Sequence, residues 1–325
     1  MNHHKVSIES VARVVMALGL DGFKKLSSHM PACSVKYAGF TIGEVEAILN
    51  ILGEANIKRM LAGDVTIEIK ELIQKMVDKN GRFIPLVGSK NYDCNPKPDY
   101  KLIQPDINYA ERFNKAAKFL HNAIFVSAEE YQKRSEKLIE QLQNDPMFSN
   151  LLNGVWLPVC YPEFRVSDYK KDLFGYFLNA VTASYALQIP GRYFNNYIKV
   201  VFPGKIKIVD ESHERFIAKM AKGPLVGLQF FPFQGFSINA VRELMSILPK
   251  SMYLSGPIDF AVAMTIHPDI LARDYFTPCY DCSAVSWDSS YSTYFVATQE
   301  SLRFDCALGF GNAHSHSTSS LIYLG

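Results

Sequence analysis

The segment SLRFDCAL, residues 301–308, decides how the C-terminal part of the chain folds. Apolar side chains occupy every second position of it and are separated by Arg, Asp and Ala, which is typical of a strand with one face in a core. The residues on the apolar face are Leu302, Phe304, Cys306 and Leu308. The alternation therefore predicts a β-strand in which Cys306 is a core residue.

Three similar runs surround this strand. SAVSWDS and YSTYFVAT precede it and SSLIYLG follows it, within residues 283–325. Each is short, rich in β-branched or aromatic residues, and separated from the next by turn-forming residues. Together the four runs predict an antiparallel β-meander at the end of the chain.

Helical patterns dominate the first half of the chain. Ser127 followed by Glu130 is typical of a capping box at a helix start, and residues 41–62 show the apolar spacing of two short paired helices. From residue 150 onward, strand-like runs such as GVWLPVC alternate with helices. The sequence therefore predicts an α+β fold, with a mainly helical domain over residues 1–149 and an α/β domain over residues 150–325 that ends in the meander. A chain of 325 residues is long enough for two such domains.

Composition limits the classes of partner. Hydrophobic residues make up 48% and charged residues 20%, as in well-packed globular proteins. With 34 basic and 32 acidic side chains the net charge is +2, so no overall field attracts nucleic acid. The apolar N-terminal run is interrupted by Glu9 and Arg13, and no uncharged stretch is uniformly apolar over a membrane thickness. We therefore expect a cytoplasmic protein with no membrane segment, and no motif predicts a cofactor.

Two pairs of residues near the C-terminus raise a metal-site alternative. Cys279 and Cys282 form a C-x-x-C pair in the turn-like sequence TPCYDC, and His314 and His316 follow in a Gly/Ser/Asn-rich connection. A zinc ion needs about four converging N or S ligands. Because Cys306 is predicted to lie in an apolar row, the sequence favours a sheet over a metal site, and no metal is predicted.

A hydrolytic enzyme, possibly metal-dependent, is the alternative function. Its site would consist of Asp281, Asp288, His314 and His316, which lie in polar stretches between the predicted C-terminal strands, where scaffolds often present catalytic groups. The chain has no G-x-S-x-G elbow and no H-E-x-x-H motif. His213 lies between Glu211 and Glu214 at a predicted helix start and is interpreted as part of that start.

The segment GEVEAILNILGEANIKRMLAGDVTI, residues 43–67, resembles a segment of uncharacterised bacterial proteins. MAKGPLVGLQF (220–230) and SSLIYLG (319–325) are similar to parts of the same group. No activity is assigned to that group, so the resemblance implies a bacterial cytoplasmic setting and no mechanism.

The functional prediction is a non-enzymatic binding or self-assembly protein. It rests on two observations: no catalytic constellation is complete, and the chain carries 17 Tyr and 22 Phe, residue types that are enriched at protein interfaces. The expected partner is another protein or a second copy of the chain, and nucleic acid is not expected.

Overall fold

The computed structural model describes the following parts of the chain: Arg59 and residues 76–85, 100–198, 206–288 and 291–325. Apart from Arg59, they belong to one compact unit, Ile73–Gly325. The α+β class is confirmed by the helices and the mixed sheet within it. The predicted domain division after residue 149 falls inside this unit. The predicted helix pair of residues 41–62 lies outside the described residues, Arg59 excepted.

Eight α-helical segments are present in the described residues. They are α1 Tyr109–Phe119, α2 Ala128–Gln143, α3 Tyr169–Asp172, α4 Leu178–Gln188, α5 Glu211–Met220, α6 Ile238–Met245, α7 Pro257–Ile266 and α8 Pro268–Leu271. A π-helical turn, Leu173–Phe177, joins α3 to α4, and a 3₁₀ helix spans Ser149–Asn153. None of these helices combines the length and the hydrophobicity that a membrane crossing requires.

The helix starts follow from their capping residues. The predicted start of α2 is confirmed, because the Ser127 side chain accepts a hydrogen bond from the Glu130 N–H at 3.2 Å. Asp210 caps α5, since its carboxylate accepts the Ser212 N–H at 2.9 Å. An ionised carboxylate at this position also interacts favourably with the positive end of the helix.

Ten strands in the described ranges form one mixed sheet. They are β1 Trp156–Tyr161, β2 Tyr193–Asn196, β3 Ile206–Ile208, β4 Leu225–Gln234, β5 Met252–Leu254, β6 Cys279–Asp281, β7 Val285–Trp287, β8 Tyr291–Ala297, β9 Ser301–Gly309 and β10 Ser317–Tyr323. The main path runs β1-β4-β10-β6-β8-β7-β3, while β5 pairs with β10, and β9 lies between β8 and β2. The predicted strands at GVWLPVC and SLRFDCAL correspond to β1 and β9.

The last strand departs from the predicted meander. β7, β8 and β9 are antiparallel neighbours, as expected. β10 leaves this group and inserts between β4, to which it is antiparallel, and β6, to which it is parallel. The six residues Ser317–Ile322 are all buried, so this strand needs cover on both faces and a partner on each edge. A central position in the sheet gives the strand cover on both faces and a neighbour on each edge. At the edge of a meander, one edge of the strand would stay unpaired.

The sheet separates two apolar layers around its centre. Met252 and Leu254 lie in one hydrophobic cluster, and Tyr253 between them lies in the other. Leu321 and Ile322 of β10 divide in the same way. Because consecutive residues of a strand point to opposite faces, the two clusters lie on opposite sides of this part of the sheet. α1, α4 and α7 contribute to the larger cluster, and α6 contributes to the smaller one.

Candidate functional site

The C-x-x-C pair lies in the sheet rather than in a turn. Cys279 begins β6, and Cys282 follows directly after it. Both side chains are buried, and burial raises the pKa of each thiol well above its ordinary value. The turn-like setting inferred from TPCYDC is therefore wrong. Cys306 is also buried, which confirms the core position predicted from SLRFDCAL.

The four residues of the hydrolytic alternative lie in different environments. Asp281, the last residue of β6, is only 4% exposed, and burial raises the pKa of its carboxyl to about 8. Asp288 is exposed in the turn after β7, with a positive φ of 53°. His314 is exposed and His316 half-buried in the connection between β9 and β10. Within the described ranges, no three His, Cys, Asp or Glu side chains are grouped so that they could hold a metal ion.

A buried line of polar side chains joins three helices at a place the sequence did not indicate. Tyr169 of α3 lies with its hydroxyl 2.8 Å from Nε2 of His213 on α5. On the other side of the ring, Nδ1 of His213 faces Oδ1 of Asp259 on α7 at 3.6 Å. His213 and Asp259 are fully buried, whereas Tyr169 is half-buried. We call these three residues the Tyr–His–Asp line.

Gly256 allows this line to form. A Cβ at this position would lie 2.6 Å from both Cε1 and Nε2 of His213 and 2.9 Å from the Tyr169 hydroxyl. The Gly256 N–H donates a 2.8 Å hydrogen bond to Oδ1 of Asp259, which fixes that carboxyl at the start of α7. Only a residue without a side chain fits between the imidazole and the helix start.

Burial decides the protonation states along the line. It lowers the pKa of His213 to about 3 and raises that of Asp259 to about 7, the latter opposed in part by the Gly256 N–H. At pH 6 the imidazole is therefore uncharged and the carboxyl mostly protonated, so their 3.6 Å contact is not an ion pair. A neutral imidazole accepts through one nitrogen and donates through the other, but the 3.6 Å separation from Asp259 is too long for a hydrogen bond, so the hydrogen-bonded part of the line ends at His213.

A second polar network lies next to Asp259 in the core. The hydroxyls of Ser255 and Ser320 are 2.8 Å apart, and Nε2 of Gln229 donates to the Ser320 hydroxyl at 2.7 Å. These three residues join β4 and β10 to the segment before α7 through fully buried atoms. The Gln229 carbonyl oxygen has no hydrogen-bond partner among the described residues, so the network is only partly satisfied, and we assign its hydroxyl and amide contacts a structural role in joining these elements.

The surface carries a separate group of aromatic side chains. Tyr275 and Phe276, adjacent in the chain, are 56% and 62% exposed. The His316 ring stacks on Tyr275 with centroids 5.8 Å apart, and it meets the Tyr100 ring edge-on at 6.4 Å. We call Tyr100, Tyr275, Phe276 and His316 the aromatic face. One residue of the predicted hydrolytic site, His316, is thus part of an aromatic cluster.

Backbone hydrogen bonds fix the aromatic face to the sheet. The Lys101 N–H donates to the Phe276 carbonyl at 2.9 Å, and the Cys279 N–H donates to the His316 carbonyl at 2.8 Å. A cleft of about 480 Å³ adjoins the face, with Tyr100, Ile103 and Phe231 among its lining residues. Amide side chains and the apolar residues Leu102 and Val155 line most of the rest, and Lys101 is the single charged residue among the described lining residues. The face and the cleft together form an apolar surface with polar margins.

Comparison of the chain with protein-family models, with curated proteins and with solved structures gives no match.

Proposed function

We propose that the protein is a non-enzymatic cytoplasmic binding protein that recognises another protein, or a second copy of itself, through the aromatic face. The observation that carries this proposal is the exposure of Tyr275 and Phe276 side by side, each more than half exposed. Aromatic side chains form the anchors of protein interfaces because they bury a large area with few rotatable bonds.

The setting of the two residues supports this role. The Phe276 carbonyl accepts the Lys101 N–H, and the Phe276 N–H donates to the Asp274 carboxylate, so less conformational entropy is lost when a partner covers this segment. The adjoining cleft offers a concave, mainly uncharged surface for side chains of the partner. By contrast, His213 and Asp259 of the Tyr–His–Asp line are fully buried, and Asp281 of the hydrolytic alternative is in the core.

Light scattering and a native pull-down test the proposal. We expect the wild-type chain to form an oligomer or to retain a protein from the host cytoplasm. We expect the double variant Tyr275→Ser, Phe276→Ser to lose that interaction while keeping its circular dichroism spectrum. Tyr291→Ser provides the matched control, because Tyr291 is 48% exposed on β8.

Two outcomes contradict the proposal. If the wild-type chain is strictly monomeric and retains no protein, the proposal that it binds a partner is wrong. If the interaction survives in the double variant, or if Tyr291→Ser weakens it equally, the aromatic face is not the binding surface.

A further inference from the structure

A basic cleft lies in a different part of the fold, between α2, α5 and the end of β10. Its volume is about 430 Å³. Its floor is aliphatic and consists of Leu138, Leu225, Val226 and Leu324. Its charged lining residues are four cations, Lys133, Arg134, Lys137 and Lys219, and one carboxylate, Glu130. The cleft therefore joins an apolar base to a positively charged margin.

Three of the four cations lie outside any close ion pair in the described part of the chain, although Lys133 is near enough to Glu130 to help lower the pKa of its carboxyl. Arg134 is paired with Glu130 at 2.6 Å along α2. Lys133, Lys137 and Lys219 form no ion pair with any described residue, and all three are exposed. Lys219 lies over the ring of Tyr253 at 5.3 Å, which holds its ammonium group beside the cleft.

The fold keeps the cleft open and its floor in place. A Cβ on Gly227 would lie 2.8 Å from Cδ2 of Leu324, so glycine at this position allows Leu324 to pack down onto β4. β4 pairs with β1 on one edge and with β10 on the other. Because both edges are occupied, a ligand meets side chains rather than free backbone groups of β4.

We propose that this cleft binds an acidic peptide segment that also carries an aliphatic side chain. Carboxylates of the peptide would pair with Lys133, Lys137 and Lys219, and the aliphatic side chain would cover the Leu138 and Leu324 floor. Nucleic acid fits less well, because the described residues that line the cleft include no aromatic ring on which a base could stack. A free inorganic anion would leave the aliphatic floor uncovered.

The test is the panning of a random heptapeptide phage library against the full chain. The library is first cleared on the triple variant Lys133→Gln, Lys137→Gln, Lys219→Gln, so that peptides which bind elsewhere are removed. We expect the enriched peptides to carry at least two Asp or Glu residues and a Leu, Ile or Val. In fluorescence anisotropy, such a peptide should bind the triple variant roughly tenfold more weakly than the wild type, since three exposed charge pairs are lost.

A matched control removes three exposed lysines elsewhere, with the same change in net charge: Lys118→Gln, Lys171→Gln, Lys207→Gln. It should bind the peptide like the wild type. The proposal is overturned if no acidic peptide is enriched, if the control variant loses affinity equally, or if replacing the aliphatic residue by Ser leaves affinity unchanged. Equal binding of a single-stranded oligonucleotide at the same lysines would also overturn it, because recognition would then be of charge alone.

Discussion

Replacing Gly256 by alanine tests whether the Tyr–His–Asp line organises the core. The backbone of Gly256 has φ −114° and ψ −176°, values that alanine adopts without strain. Any effect therefore comes from the added methyl group. That group would lie 2.6 Å from two atoms of the His213 ring and 2.9 Å from the Tyr169 hydroxyl, well inside contact distance.

The size of the effect follows from how firmly the imidazole is held. His213 is fully buried, and its other face stacks on Phe216 with an interplanar angle of 17°. The ring cannot move aside without disturbing the core. Overpacking of this kind costs about 1–3 kcal/mol, and loss of the 2.8 Å contact with Tyr169 adds about 1 kcal/mol. We expect Gly256→Ala to lower the free energy of unfolding by roughly 2–4 kcal/mol.

Urea unfolding monitored by circular dichroism and by tryptophan fluorescence measures this difference. Gly223→Ala is the control, because a Cβ at Gly223 meets no atom within 4 Å and its φ is not positive. That variant should unfold within about 0.5 kcal/mol of the wild type. If Gly256→Ala unfolds at the wild-type midpoint, the imidazole is not confined as described, and the line has no organising role.

Two further predictions concern titratable groups in the core. Burial raises the pKa of Asp259 to about 7, so its contribution to stability is complete below about pH 4 and is lost as the pH rises through 7. In the wild type we therefore expect the free energy of unfolding to fall between pH 4 and 8, and in Asp259→Asn this fall should be smaller by up to roughly 4 kcal/mol. Denaturant titrations at several pH values measure the difference. An identical pH dependence in the variant would contradict the prediction. Thiol labelling, with the labelled sites mapped by mass spectrometry, should find Cys279, Cys282 and Cys306 protected until the protein unfolds. Rapid labelling of Cys279 or Cys282 in the folded protein would show that these side chains are accessible to solvent.

Local patterns in the sequence predicted local elements well. The alternation around Cys306 identified β9 and its buried face, and Ser127 with Glu130 marked the start of α2. Both signals depend on residues within a few positions of one another. The place of β10 in the sheet depends instead on pairing with β4 and β6, which lie far earlier in the chain. No local pattern contains that information.

The candidate sites were missed for the same physical reason. His213 shares a helical face with Phe216 and Met220, a spacing that could have placed its ring in the core. Asp259 is the sole charged residue of α7, whose residues are otherwise nearly all apolar, so a buried carboxyl was detectable in principle. Their meeting with Tyr169 required the tertiary fold. The aromatic face likewise joins residues near position 100 to residues near positions 275 and 316.

The central position of β10 also determines at what point during synthesis the sheet can form. Seven residues, Ser317–Tyr323, join the β1–β4 part of the sheet to the part that contains β6 and β8. Until the ribosome has released them, β4 and β6 each present an edge without its neighbour, and such edges pair readily with other chains. A nascent chain of this protein therefore gains this protection from aggregation only once β10 has been made, and a stop codon before Ser317 would leave two open sheet edges.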